Sequence, residues 1–313
     1  MLNKEILFQA GQLDRFGFAL EKRDDQTVLV RPDKPGKVLH LGRLSIKEEA
    51  AGKARVFAIT DAITQSVMKP LHDLIFQMLR QMPCDGTFNQ GAPLQRLLLL
   101  HKEGKFVGHN FHSFDLSAAT DRLPIRLQCD ILGYYIGTVA ANLWGRLLTE
   151  RDWYLKDTDS NYRYAVGQPM GALSSWGMLA LTHHYIVRIA ANRVGIKDFD
   201  FYAVLGDDIV IANDLVAASY HALVTEWLGV EINLSKTLVS GTCFEFAKRL
   251  VTVTGEVTPP GPKNILLSLK SLNGIPSILL DLAGKGILMT EEKVDLLFQK
   301  VPTLRRSALE ELL

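Results

Sequence analysis

The spacing of apolar residues divides the chain into alternating short strands and longer helices. Val28-Leu29-Val30 runs into Arg31-Pro32-Asp33-Lys34-Pro35-Gly36, which predicts a strand and a turn in an otherwise weakly patterned stretch, residues 1–44. Residues 55–60 read as a strand. From Asp61, the residues Ile63, Val67, Leu71, Leu74, Ile75, Met78 and Leu79 recur at spacings of three and four. That period is helical, and Pro70 inside it predicts two helices or one kinked helix. Residues 93–102 form a second apolar helix and 111–116 a short strand. Pro124 opens a helix to about residue 132, because proline suits the first helical position. Further on come a strand at 162–166, a long helix from 171 to about 191 and two strands at 199–205 and 209–212. A helix at 215–228 and strands at 237–240 and 244–254 follow. Pro259-Pro260-Gly261-Pro262 marks a boundary, with short helices after it. This order implies an α+β fold with an antiparallel core sheet.

Composition narrows the class. A chain of 313 residues fits one large domain or two modest ones. With 47% hydrophobic and 22% charged residues it is neither disordered, collagen-like nor a coiled coil. Lys and Arg total 35 against 34 Asp and Glu, so any nucleic-acid channel is a local patch on a neutral body. The three cysteines, Cys84, Cys129 and Cys243, are too few and too widely spaced for a disulfide framework or a CxxC zinc site. They fit a reducing compartment. No uninterrupted apolar run is long enough to span a membrane. The first 23 residues lack a secretory apolar region and are too acidic for a transit peptide.

Five segments carry candidate chemistry. Gly206-Asp207-Asp208 joins two apolar strands. By itself it reads as an ordinary hairpin turn, but two adjacent carboxylates at a strand tip repel unless a cation relieves them. Asp115 ends a strand and could add another carboxylate to a divalent ion, while Asp121 precedes Pro124 and reads as a helix cap or a ligand contact. Residues 167–176, GQPMGALSSW, put Gly171, Ser174 and Ser175 in a loop entering a helix, where backbone can approach a sugar-phosphate. Lys53 and Arg55 alternate on an apparent strand and so share a face, which suits a triphosphate or simply solvent. The strand at 244–249 carries Lys248 and Arg249, and Lys236 precedes it. His109, His112, His183 and His184 lack the partners a zinc site needs.

In this order the segments resemble the motifs of the mitovirus branch of viral RNA-dependent RNA polymerases. The resemblance rests on DGTFNQ at 85–90, FDLSAATDRLP at 114–124, GQPMGALSSW at 167–176, GDD at 206–208 and EFAKR at 245–249. It covers roughly residues 40–255 and implies a right-hand polymerase: an antiparallel palm, partial fingers and a short thumb. The corresponding segments are 1–44 as the remnant of a longer N-terminal region, 45–110 as fingers, 111–255 as palm and 256–313 as thumb. Asp115, Asp207 and Asp208 resemble the carboxylates that hold two Mg²⁺ or Mn²⁺ ions for in-line displacement. Lys236 resembles the general acid for pyrophosphate. Asp121 with Ser174 or Ser175 resembles the sensor of the ribose 2′-hydroxyl, which marks RNA. Lys53 and Arg55 resemble the cations that hold the NTP triphosphate, and Gly171, Lys248 and Arg249 the groups beside primer and RNA.

The implied substrates are NTPs, an RNA template and nascent RNA, with no obligate protein partner, and the implied location is the mitochondrion. Family members carry a far longer N-terminal part, so a truncated or endogenised copy is the expectation. Two alternatives stand beside an active polymerase. One is a silent remnant that still binds RNA. The other is a reverse transcriptase, disfavoured because Leu205 stands where those enzymes carry an aromatic residue and because Asp121 is polar.

Overall fold

The computed structural model describes residues 19–23, 26–30, 40–49, 52–105, 107–270 and 275–284. The turn expected at 31–36 and the helices expected beyond Gly284 lie outside the described residues. Two compact units take alternate stretches of chain. The first comprises the described residues to Met82 with Leu116–Val187 and Ala222–Glu231. The second comprises the described residues of Pro83–Asp115, Arg188–His221 and those from Ile232 to Gly284.

In chain order the strands and helices begin with the hairpin β1 (Ala19–Arg23) and β2 (Gln26–Val30), then β3 (Gly42–Glu49) and β4 (Lys53–Thr60). Next are α1 (Ala62–Arg80), α2 (Gly91–Lys102) and β5 (Phe111–Asp115). Helices α3 (Ile125–Ile136) and α4 (Thr138–Thr149) precede β6 (Trp153–Leu155) and β7 (Ser160–Tyr162). Then come α5 (Ser175–Arg193), β8 (Tyr202–Leu205), β9 (Asp208–Ile211) and α6 (Asp214–Ala222). The chain continues through β10 (Leu238–Ser240), β11 (Cys243–Phe246), β12 (Arg249–Thr252) and β13 (Gly255–Glu256) to α7 (Pro262–Lys270) and α8 (Ile275–Gly284).

In the first unit, α1 is one helix that runs through Pro70. Asp61 caps it, accepting from the Thr64 amide at 2.8 Å, and the buried Arg151 in turn bonds Asp61 and Thr64. The caps satisfy donors that a helix start leaves open. Met68, Ile75 and Leu79 of α1 pack with Cys129 and Leu132 of α3, Trp144 and Leu148 of α4 and Met178 of α5. Val67 and Leu74, apolar members of the same periodicity, face outward instead. The sheet of this unit has the order β4-β3-β6-β7. Its β3 and β6 run parallel, which the expected antiparallel layout did not include. The strand expected at 162–166 lies earlier, at β7, because Tyr162 pairs with Trp153 and residues 163–166 pair with no strand.

In the second unit the order is β10-β5-β9-β8, antiparallel throughout. A second sheet, β11-β12-β13, lies beside it. Phe111, Ala203, Val210, Phe244, Phe246 and Val251 from these strands pack with Leu94 and Leu97 of α2. Each of these strands turns an apolar face to the same core, so register is fixed by burial. The outer edge of β8 is closed by residues 84–86: Val204 donates to the Cys84 carbonyl at 2.9 Å and Gly86 to the Val204 carbonyl at 2.8 Å. No described helix is long and apolar enough to cross a membrane.

Candidate active site

The β8–β9 hairpin pairs Leu205 with Asp208 and leaves Gly206-Asp207 as its two-residue turn. Gly206 has φ 60°, a conformation glycine reaches at no steric cost. Glycine at the first turn position is the choice for a tight hairpin that follows strand twist. The turn leaves Asp207 exposed at the tip, while Asp208 opens β9 half-buried. Directly opposite Asp208, in register, is Asp115, the last residue of β5. Phe114 and Ile209, one step further into the sheet, are buried and anchor that register. The backbone carbonyl of Asp115 accepts from the Asn233 amide at 2.9 Å.

Lys236 reaches the same place. It ends a 3₁₀ turn, Leu234–Lys236, whose start is capped by the Asn233 side chain. Its Nζ donates to Asp115 Oδ2 at 2.8 Å. That bond is the main cause that raises the Lys236 pKa, keeping the ammonium charged. Strand β11 is tied to β5 by the Glu245 amide, which donates to Ser113 Oγ at 2.9 Å. The β11–β12 hairpin then turns through Ala247 and Lys248 at φ 53° and 61°. Two non-glycine residues in the left-handed region cost about 1–2 kcal/mol each. A cavity of about 250 Å³ opens here, lined by Asp115, Asp208, Lys236, Glu245, Ala247 and Lys248 with Ser113, Phe114, Ile209 and Phe246.

Electrostatics at this cavity are unbalanced. Asp208 is pushed up to about 6, first by burial, then by the carboxylates of Asp207, Asp115 and Glu245, with Lys248 opposing. Its charged form therefore costs stability above about pH 6, and the cost disappears below about pH 4, where folded and unfolded states are both protonated. Asp208→Asn should accordingly raise the unfolding free energy by about 1–2 kcal/mol at pH 7, after discounting for partial exposure. Urea titrations at pH 7 and pH 4 check this: the gain should vanish at the lower pH, and an equal gain at both would contradict the electrostatic cause.

The donor chemistry fits hard divalent ions. Carboxylate oxygens suit Mg²⁺ or Mn²⁺, and a divalent charge relieves the repulsion felt by Asp208. As they stand, no three His, Cys, Asp or Glu side chains among the described residues converge closely enough to hold a metal. Asp115 in particular is engaged by Lys236.

The other sequence candidates are placed differently. Arg249 turns to Glu256, which its guanidinium bonds through Nε at 3.1 Å and through Nη2, so it does not line the cavity. Lys53, Arg55, Asp121, Gly171, Ser174 and Ser175 belong to the first unit. Lys53 and Arg55 stand two positions apart in β4, and Arg55 is exposed. Asp121 sits within a single helical turn, Ala119–Arg122, and caps no helix; Pro124 occupies the cap of α3. Its side chain keeps some exposure, and burial raises its pKa.

The Asp121 segment is bound to the glycine loop. The Gly167 amide donates to the Asp121 carbonyl at 3.0 Å and Gln168 to that of Thr120 at 2.9 Å. A Cβ on Gly167 would stand 2.3 Å from the Thr120 carbonyl, so only glycine permits this approach. Gly171, at φ 115°, lies against the Ala58 carbonyl of β4. Ser174 and Ser175 are buried, not presented to solvent. Ser174 Oγ accepts from Trp144 Nε1 at 2.8 Å, and its amide donates to His72 Nδ1 at 3.2 Å. Gln168, fully buried, bonds Gln128 at 2.6 Å and the Ser175 carbonyl at 2.9 Å. Ser174 therefore helps hold the loop, whereas the buried Ser175 Oγ makes no hydrogen bond.

Glu245 is a cavity residue that the motif reading passed over. The signal was present in Phe244-Glu245-Phe246: both phenylalanines are buried, so alternation sends Glu245 to the opposite side. His109 and His112 both bond Asp214, at 3.1 and 2.7 Å.

Comparison with known proteins gives the family and the fold. The family model described as mitovirus RNA-dependent RNA polymerase matches residues 9–310. The RNA-directed RNA polymerase of Cryphonectria parasitica mitovirus 1 is 44% identical over 211 residues, 67% of this chain and 25% of that protein. The Arabidopsis thaliana mitochondrial protein AtMg01110 is 38% identical over 201 residues, 61% of this chain and 77% of that one. Among solved structures, the RNA-dependent RNA polymerase of a human picorbirnavirus, in an insertion-loop deletion form, superimposes with a TM-score of 0.54. That match has 18% identity and covers 75% of this chain and 48% of the other. The chain thus spans a quarter of the mitovirus polymerase and about half of the solved one. It has the α+β palm fold of these enzymes, and by its family match it belongs to the mitovirus RNA-dependent RNA polymerases.

Proposed function

We propose that the chain carries out template-directed nucleotidyl transfer from NTPs to an RNA 3′-hydroxyl, in the replication of a mitovirus-type RNA. The observation that carries this is the in-register pair Asp115–Asp208, with Asp207 at the adjoining hairpin tip. Asp115, Asp207 and Asp208 are the residues that would hold two Mg²⁺ or Mn²⁺ ions. Such ions, when bound, lower the pKa of a coordinated hydroxyl and neutralise charge on the leaving oxygens.

The chain's own residues supply position and proton control. The β5–β9 register sets the spacing of Asp115 and Asp208 before any substrate arrives, which is where most of the rate gain in phosphoryl transfer originates. Lys236 holds a proton on Nζ that suits protonation of departing pyrophosphate. Lys248, on its constrained turn, faces the cavity and suits a phosphate of the nascent strand. Arg249, paired with Glu256, supports that turn from behind. Asp121 is the member of the ribose-sensing set that a nucleotide can reach, since both serines are buried. Lys53 and Arg55 are assigned to the triphosphate, with Gly171 beside the RNA. The division into partial fingers (45–110), palm (111–255) and partial thumb (256–313) belongs to the same reading, as does action in mitochondria, where the Arabidopsis relative is found.

Incorporation of labelled NTP on a primed RNA template, with Mg²⁺ and Mn²⁺ separately, tests this. Metal-dependent incorporation is expected. A second reading, a silent RNA-binding protein, is favoured by one contact: Lys236 Nζ, 2.8 Å from Asp115 Oδ2, occupies a carboxylate that a metal ion would need. Folded protein that binds RNA yet incorporates nothing would select that reading.

A further inference from the structure

Helix α1 grips the glycine loop along one stripe of side chains. Gln65, Met68 and His72 stand three and four positions apart, which puts them on one face of the helix. Gln65 is half-buried, and its amide brackets Ala172. Its Nε2 donates to the Gly171 carbonyl at 3.2 Å, and its Oε1 accepts from the Leu173 amide at 2.8 Å. One residue further, the Ser174 amide donates to His72 Nδ1, and the Ser174 hydroxyl lies 3.9 Å from Met68 Sδ. Strand β4 holds the same loop: the Ala58 amide donates to the Met170 carbonyl at 2.7 Å. All these groups belong to the first unit.

Ser174 has φ 69°, a region that residues with a side chain resist. Such a conformation persists where the surroundings over-determine it, and α1 does so through the amides of Leu173 and Ser174. A carboxamide suits the Gly171–Leu173 pair because it carries an acceptor and a donor in one plane. A glutamate would offer only the acceptor, and a methionine of similar length neither. The other end of the loop carries Asp121. Gly167 and Gln168 donate to the carbonyls of Asp121 and Thr120, and no Cβ fits at Gly167. The turn that contains Asp121, Ala119–Arg122, has four residues and is too short to stand by its own hydrogen bonds. The loop therefore sets where Asp121 lies, and Gln65 helps set the loop.

We propose that Gln65 is a positioning residue for sugar selection. It fixes the glycine loop and, through it, the place where Asp121 meets the ribose 2′-hydroxyl of an incoming nucleotide. The inference rests on the proposed polymerase reading and deepens it. It names a residue of α1, outside the five sequence segments, that decides how well the site tells ribose from deoxyribose.

Single-nucleotide addition opposite a template uridine is measured with Mg²⁺, using ATP and dATP, which differ only in the 2′-hydroxyl. Values of kcat/KM are compared for the full chain, Gln65→Met, Gln65→Glu, Asp121→Ala and Gln65→Met/Asp121→Ala. Gln65→Glu keeps the bond from Leu173 and carries the same test where Gln65→Met does not fold. The preference for ATP over dATP should fall about tenfold in Gln65→Met and about threefold in Gln65→Glu. The change should lie in ATP, with dATP addition unaltered. The double variant should discriminate no worse than Asp121→Ala alone, because both substitutions remove one and the same interaction. An equal loss for ATP and dATP, as general loosening of the fold gives, overturns the inference. An additive loss in the double variant, or an unchanged preference in Gln65→Met, does so too. In each of these outcomes the full chain still adds ATP, and the polymerase reading stands. No addition of either nucleotide by the full chain contradicts the polymerase reading, and this inference falls with it.

Discussion

Asp207→Ala and Asp115→Ala each abolish nucleotide incorporation, by at least about a thousandfold, on the order of 4 kcal/mol in the barrier. Asp207 is exposed at the hairpin tip, and its place there is set by Gly206 and by the Leu205–Asp208 pairing, which do not need its side chain. Its removal should leave the unfolding transition where it is or raise it slightly, because the Asp207 carboxylate repels Asp208. Asp115 differs, because Lys236 donates to it. Asp115→Asn keeps an acceptor for that ammonium and removes the charge, so it should be as inactive as Asp115→Ala while unfolding at the wild-type midpoint. Steady-state incorporation beside urea unfolding separates the cases. An Asp207→Ala protein with unchanged rate would remove the carboxylates from the chemistry.

The largest expected loss of stability comes from Trp153→Ala, about 3–5 kcal/mol. Trp153 is fully buried. Its ring lies under Gly42, meets Tyr164 edge-on at 5.8 Å and has the Arg151 guanidinium 5.6 Å from its centroid. Its indole N–H makes no hydrogen bond, so the loss is of packing and transfer energy rather than of a polar contact. Gly42 cannot follow the ring inward without breaking its pairing with Thr60, so the cavity stays open. Urea unfolding should show the drop, with Trp153→Phe intermediate. A loss below about 1 kcal/mol would mean the sheet does not rest on this residue.

What the sequence made legible follows from how local each signal is. The strands around Gly206-Asp207-Asp208 are apolar runs with a turn residue between them, and the hairpin forms as read. The register that sets Asp115 opposite Asp208 joins residues 93 positions apart, and no periodicity encodes it. Order of motifs supplied that pairing only through resemblance. Helix α4, which follows α3 after the single glycine Gly137, was not read from the sequence. Ser174 and Ser175 entered as ligand groups only through the resemblance. That both are buried, Ser174 with hydrogen bonds to Trp144 and His72, is a tertiary fact that composition does not carry. Arg249 illustrates the reverse: its cation is real, but Glu256, seven residues on, takes it. Arg43 lay in a stretch without clear pattern, and only the β3–β4 register joins it to Ile59 and sets Lys47 opposite Arg55.

The central claim is that this chain copies RNA, and single-nucleotide addition tests it most directly. Four primed RNA templates differing in the first unpaired base are each offered the four NTPs singly, with Mg²⁺. The account predicts that only the complementary nucleotide is added to each, and that none is added by Asp207→Ala. Addition of the same nucleotide whatever the template, or addition that persists in Asp207→Ala, would contradict it.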